Sequence, residues 1–295
     1  MKKLYFAYGS NLSASDWRRY CDERTLSPEG LTFQRSAWLP DWEVSFHYYS
    51  KNRQGGALTI HRQPGTAVPG ALFEADKETW NILDRKEGVA AGCYEPIEVV
   101  ALDEEGMEWA CTTYEVTKSS RAHDPIPPAP GYHEIVSAAL QELGLPTDQL
   151  DAAARGDDPE LLPAGLFTYG TLLRGESRWG AAEAIAAGDV VEGTCPGALV
   201  DLLEYPGLLN AKDTEETTGE IVPLSKKRSG SAGWVESIDA IEDFQGYGNP
   251  DSLYRRIVRR TKGPAAEGHV WTYLYLGATA GLPHIAGNDW RKRGN

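Results

Sequence analysis

Hydrophobic and polar residues alternate in short runs along most of this chain. Lys3–Tyr8, Ala57–His61, Gly70–Glu74, Ile97–Leu102 and Trp109–Val116 each combine β-branched or aromatic residues with period-two patterning, and each is expected to be a strand. Asp103-Glu104-Glu105-Gly106 lies between the last two as a hairpin turn. The period changes at His133–Leu143, where Ile135, Val136, Ala139, Leu140 and Leu143 fall on one helical face ahead of the stops Gly144 and Pro146. Two further short amphipathic helices are expected. Trp80–Gly88 has Asp76 as N-cap and Gly88 as C-terminal stop, and Trp234–Phe244 repeats the pattern downstream. Strands interrupted by a few helices, without strict βαβ alternation, argue for an α+β fold in which a small sheet curls into a barrel with helices at its side. The Pro-rich run 125–130 reads as a stiff, extended loop.

The pattern also repeats. Phe6-Ala7-Tyr8-Gly9-Ser10-Asn11-Leu12 returns as Phe167-Thr168-Tyr169-Gly170-Thr171-Leu172-Leu173. The segment 80–88 then matches 234–244, and Thr112-Thr113-Tyr114 matches Trp271-Thr272-Tyr273, all in one order. Between the copies, Ala152–Glu160 is small, charged and poor in apolar periodicity, as expected of a linker. Two domains follow, 1–155 and 165–295.

Composition narrows the function. Nine Trp, fourteen Tyr and six Phe in 295 residues supply large apolar faces, so general disorder is excluded. A net charge of −14 argues against nucleic-acid and anionic-membrane partners. No run approaches the roughly 20 apolar residues of a membrane helix, and the N-terminal segment is too short and polar for a secretory core, so a cytoplasmic address is expected. Cys21, Cys93, Cys111 and Cys195 are widely spaced and read as small core residues or inert thiols. His133-Glu134 opens like a zincin helix, but Ser137 stands where the second ligand would be, and no metal site is expected.

Two features carry candidate chemistry. In the Tyr-Gly-Ser-Asn-Leu segment a positive φ at Gly9 would let the following N–H groups converge on an oxyanion or carboxylate, with Ser10 and Asn11 adding side-chain donors. The plainer reading is a strand-to-helix turn with Ser13 or Ser15 as N-cap. Glu87 ends its helix, where the macrodipole and the apolar residues after it both raise a carboxyl pKa. Glu242 holds the same place in the second copy beside Asp243, whose charge would add to the shift. Such a carboxylate suits general acid/base work, and the plainer reading is a solvated helix-end Glu. With no G-x-S-x-G elbow, Cys–His pair, metal cluster or phosphate loop, one carboxylate and an anion cradle remain. They suffice for a substrate that carries its own nucleophile.

On these residues the first half resembles γ-glutamylcyclotransferases. The stretches are Phe6–Leu12, Pro69–Phe73, Leu83–Val89, Gly92-Cys93-Tyr94 and Tyr114. The second half resembles the related γ-glutamylamine cyclotransferase and AIG2-like branch through Tyr169–Gly175, Ile238–Glu242, Tyr254-Arg255-Arg256 and Gly287–Trp290. The resemblance implies two tandem γ-glutamylcyclotransferase-like domains, each a small mixed β-barrel flanked by helices, and a cofactor-independent enzyme. It would release 5-oxoproline and a free amine from a small γ-glutamyl substrate. Glu87 and Glu242 would be catalytic. Tyr8, Gly9, Ser10, Asn11, Leu12, Tyr94 and Tyr114 would bind substrate in the first domain, and Tyr169, Gly170, Thr171, Leu172 and Tyr254 in the second. Tyr94 and Tyr114 could equally be core aromatics. The alternative is that one domain, the C-terminal one first, is a non-catalytic binding or scaffolding module.

Overall fold

The apolar run Leu4-Tyr5-Phe6-Ala7 becomes a strand of the first unit with a neighbour on each edge, and Tyr5, Phe6 and Ala7 are buried. A computed structural model describes residues 3–157, 161–210, 215–225, 231–263 and 268–293, and divides the chain into two units. One comprises Met1–Asp103 with Glu108–Glu160, and the other Glu104–Met107 with Leu161–Asn295.

In the first unit, β1 (Lys3–Ala7), β2 (Leu31–Ser50), β3 (Gly55–Ala75), β4 (Tyr94–Asp103) and β5 (Glu108–Val116) close into a barrel in the order β1-β3-β2-β4-β5. The closing contact is parallel, Tyr5 against Thr112, and Thr113 Oγ1 donates to the Phe6 carbonyl at 2.8 Å. Helix α1 (Ala14–Asp22) follows the first strand, α2 (Lys77–Glu87) the third, and α3 (Tyr132–Glu142) and α4 (Asp148–Arg155) end the unit. The strands expected at 57–61 and 70–74 are two parts of the single strand β3. Its partner β2 has no counterpart in the sequence reading, because Pro40 and three register shifts, at Phe33/Arg35, Pro40/Trp42 and Ser45/Tyr48, break the period-two pattern. The Pro-rich run is extended, as expected. It lies against the β2–β3 hairpin, with Ile126 N–H on the Phe46 carbonyl at 2.7 Å and Ala129 N–H on that of Gly56 at 2.9 Å.

The expected linker starts inside α4. Leu150, Ala152 and Ala153 are buried there, and Gln149 accepts from Val44 N–H at 3.1 Å and donates to Thr66 at 3.0 Å. Small residues, which read as linker, are what close packing on the hairpin requires. Residues 158–160 of that stretch lie outside the described residues.

The second unit repeats the first strand for strand. Its strands are β6 (Gly165–Thr168), β7 (Val191–Pro196), β10 (Glu216–Pro223), β11 (Tyr254–Thr261) and β12 (Gly268–Tyr275), ordered β11-β12-β6-β10-β7. A paired bridge between Thr194 and Lys262 (2.8 and 2.9 Å) joins the two edges. The parallel contact recurs, Leu166 against Trp271, and Thr272 Oγ1 donates to the Phe167 carbonyl at 3.0 Å. A small hairpin, β8 (Ala198–Asp201) with β9 (Pro206–Leu209), and helices α5 (Trp179–Ile185) and α6 (Ser231–Ile241) complete it. The tandem α+β architecture expected from the repeat is the one observed. Among the described residues no helix is long and apolar enough to cross a membrane.

Candidate functional site

Helix α2 is bounded as its sequence predicts. Asp76 accepts from Thr79 N–H at 2.8 Å, and Gly88, at φ 69°, ends the helix in the left-handed region. That stop fixes Glu87 as the last helical residue, facing the turn after β1. The turn Ser10–Leu12 is 3-10 helical and leads into α1, whose N-cap is Ser13, accepting from Asp16 N–H at 3.3 Å. The segment is therefore the strand-to-helix turn of the plainer reading, and it also lines a cleft of about 860 Å³ with Tyr8, Glu87, Tyr94 and Tyr114.

Asn11 joins the two halves of the site. Its Nδ2 donates to Glu87 Oε1 and to Tyr5 Oη, both at 2.9 Å, while its Oδ1 accepts from Lys86 Nζ at 2.5 Å. Lys86 also faces Asp16 at 3.3 Å. Asp16 pairs with Arg19, and with Arg53 at 2.7 Å, and Arg53 reaches Ser10 Oγ at 3.0 Å. Burial raises the Glu87 pKa, opposed by Lys86, by the Asn11 hydrogen bond and by Arg53. Burial likewise lowers that of Lys86, opposed by Asp16 and Glu87. Burial also pushes the Asp16 carboxyl up, but Lys86 and Arg53 outweigh it and hold the group well below the usual carboxylate range.

Three sequence expectations need correction here. Gly9 has φ −116°, which any residue can adopt, so its lack of a side chain matters for space: a Cβ would lie 2.9 Å from the Tyr132 hydroxyl. Leu12 does not join an anion cradle, because its N–H returns to the Gly9 carbonyl at 2.9 Å and its side chain is buried. Ser10 accepts from Arg53 through its side chain, and its backbone faces the Tyr132 hydroxyl. A guanidinium, that of Arg53, stands beside the turn at Ser10 Oγ; sequence reasoning missed it together with Lys86, Asp16 and Tyr132. Only Lys86, adjacent to Glu87, carried a local signal, and neighbouring helix positions do not announce that they share a cleft.

The tyrosines line the cleft by their rings. Tyr8 donates to the Tyr114 carbonyl, Tyr94 to the Leu58 carbonyl and Tyr114 to Asp84, each at 2.6 Å. Tyr94 and Tyr114 are each buried, and each lines the cleft. Of the cysteines, Cys21, Cys111 and Cys195 are buried, whereas half-buried Cys93 borders the cleft.

The second unit reproduces this frame around a smaller pocket of about 100 Å³ lined by Tyr169, Gly170, Thr171, Leu172, Arg178, Glu242 and Tyr254, among others. Tyr169 donates to the Tyr273 carbonyl at 2.7 Å, Tyr273 to Asp239 at 2.5 Å and Tyr254 to the Pro206 carbonyl at 2.7 Å. The polar partners of the acid differ. Leu172 stands at the motif position of Asn11, and Ile241 precedes Glu242 where Lys86 precedes Glu87. Burial pushes Glu242 up to about 7, Arg178 opposing and Asp239 adding to it. The like charge acting on Glu242 is that of Asp239; Asp243, from which it was expected, is exposed, with its backbone in the left-handed region at φ 49°. Glu242 itself lies one residue past the end of α6.

Comparison with known proteins covers both units. The family model described as "AIG2-like family" matches residues 67–152, and that described as "Gamma-glutamyl cyclotransferase, AIG2-like" matches residues 166–292. A "Gamma-glutamylcyclotransferase" of Bos taurus is 34% identical over 149 residues, 49% of this chain and 73% of that protein. That of Homo sapiens is 36% identical over 149 residues with the same coverage. A solved structure described as "Gamma-glutamyl cyclotransferase" is 32% identical, the match covering 54% of this chain and 89% of the other with a TM-score of 0.44.

Proposed function

Because the chain belongs to the γ-glutamylcyclotransferase family, we propose that its first unit converts a γ-glutamyl compound into 5-oxoproline and a free amine, with Glu87 as the general acid/base. The observation that carries this is the partly buried carboxyl of Glu87, held by Asn11 at 2.9 Å on the wall of a cleft of about 860 Å³.

The ionised carboxylate takes a proton from the substrate's α-ammonium. The freed amine attacks the γ-carbonyl carbon, the new C–N bond closes a five-membered ring, and the carbonyl oxygen becomes an oxyanion. Glu87, now protonated, delivers that proton to the departing nitrogen as the oxyanion collapses to the carbonyl and the old C–N bond breaks. The carboxylate so regenerated takes the second proton from the ring nitrogen, leaving the neutral lactam, and passes it to the released amine, which departs as an ammonium. Nucleophile and electrophile are already joined, so orientation contributes much of the rate. Arg53, fixed by Asp16 and Ser10, is suited to the substrate's α-carboxylate. An α-amine titrates near 8, and burial of Glu87 narrows the gap between acid and base.

Incubation with γ-glutamyl-alanine and related compounds, with 5-oxoproline measured, tests the assignment. Product that disappears in Glu87→Gln supports it, and full activity in that variant overturns it.

For the second unit the smaller pocket and the exchange of Asn11 and Lys86 for Leu172 and Ile241 favour a different role. It takes a smaller or less polar γ-glutamylamine through Glu242, or binds without turnover. A Glu242→Gln variant compared with wild type across both substrate types separates these two.

A further inference from the structure

The charge around the first cleft runs against that of the whole chain. In a protein of net charge −14, its lining includes Arg19, Arg24, Lys51, Arg53, Arg85 and Lys86. Arg19, Arg53 and Lys86 converge on Asp16, and Arg24 pairs with Glu23 at 3.0 Å while lying over the Tyr20 ring. Arg85 and Lys51 remain. Among the described residues neither side chain has an ion-pair partner, and they stand on different walls, Arg85 on the exposed side of α2 and Lys51 in the turn joining β2 to β3.

Tyr20 locates the α2 wall electrostatically. Its pKa is raised by burial, lowered by Arg24 and Arg85 and raised by Glu87, so these three charges lie within reach of one hydroxyl. A γ-glutamyl head brings one ammonium and one carboxylate, and a departing amino acid with a neutral side chain adds a single further carboxylate, so of the two spare cations, Arg85 and Lys51, one is left unanswered. The second pocket has no such excess: its charged lining is Arg178 and Glu242 amid Tyr205, Tyr254 and Tyr273. The surplus thus belongs to the first cleft and not to the fold.

Resting on the cyclotransferase reading, we infer that the first unit selects γ-glutamyl compounds whose departing amino acid carries a second carboxylate in its side chain, as glutamate and aspartate do, with Arg85 and Lys51 as the specificity-determining cations. A cleft of one sign concentrates ligands of the other, and two partly solvated pairs each contribute a few-fold in binding.

The test compares kcat/KM for γ-glutamyl-glutamate and for γ-glutamyl-glutamine, its neutral isostere, in the full chain. The acidic substrate is expected to be roughly tenfold better at low salt, with the advantage shrinking as salt rises. Arg85→Gln combined with Lys51→Gln should cut that ratio about three- to tenfold through KM, and Arg85→Lys should retain most of it. Equal efficiency for the two substrates, or a ratio unmoved in the double variant, overturns this inference and leaves the cyclotransferase assignment standing. No 5-oxoproline from either compound or from γ-glutamyl-alanine overturns the assignment itself.

Discussion

Asn11 and Glu87 lie 76 positions apart in the chain, yet Asn11 Nδ2 donates to Glu87 Oε1 at 2.9 Å. This bond favours the ionised form of a carboxyl that burial pushes toward the neutral one. Removing it should raise the Glu87 pKa further. In Asn11→Leu, which copies Leu172 of the second unit, the acid limb of the kcat/KM profile is expected to move to higher pH, because activity requires the ionised base. A pH–rate profile beside wild type checks the direction, and an unmoved limb would mean that the bond does not tune Glu87.

Glu87→Gln should lower 5-oxoproline formation about 10²- to 10⁴-fold, the range usual for loss of a general acid/base. The substitution also removes a buried ionisable group, so thermal unfolding should occur at the same temperature or higher. A variant that loses activity together with its folded circular dichroism would not support a catalytic role.

Glu242 gives a stability signature that needs no substrate. Burial pushes its pKa from the ordinary glutamate value of about 4.5 up to about 7 in the folded chain, so its contribution favours the folded state fully below about 4.5 and is lost as pH rises through about 7. Glu242→Gln should therefore be more stable than wild type under mildly alkaline conditions, by on the order of 1–3 kcal/mol, since one unit corresponds to about 1.4 kcal/mol. The difference should close on acidification. Denaturant unfolding across that range measures it, and a constant offset would argue against the shift.

Gly9→Ala tests the close approach at the turn, where a Cβ would meet the Tyr132 hydroxyl at 2.9 Å. A loss of about 1–3 kcal/mol is expected, the usual result of overpacking. Tyr132→Phe should recover part of that loss in the double variant, because it removes the atom that clashes. Additive destabilisation in the double-mutant cycle would place the strain elsewhere.

The parts of the site legible in the sequence were those fixed by local chemistry. Asp76 and Gly88 mark the ends of α2, and with them the position of Glu87, because caps act over a few residues. Strand β2 was not legible, since its pairing with β3 absorbs three register shifts that hide the alternation. Nor was α4, whose small residues carry too little periodic signal to separate a packed helix from a linker.

What the sequence determined by itself was the duplication, the α+β class, and the turn and acid present in each half, because repeated motifs and helix caps are written in contiguous residues. Tertiary structure decided what surrounds each acid. Arg53 and Tyr132 reach the first turn from a distant hairpin and a later helix, and Lys86 meets Asn11 only when α2 docks. In the second unit Leu172 and Ile241 leave the same frame around an acid whose pKa is pushed to about 7. The reason is physical: a carboxyl's proton affinity depends on burial and on charges within a few ångströms, and the folded chain alone sets those distances.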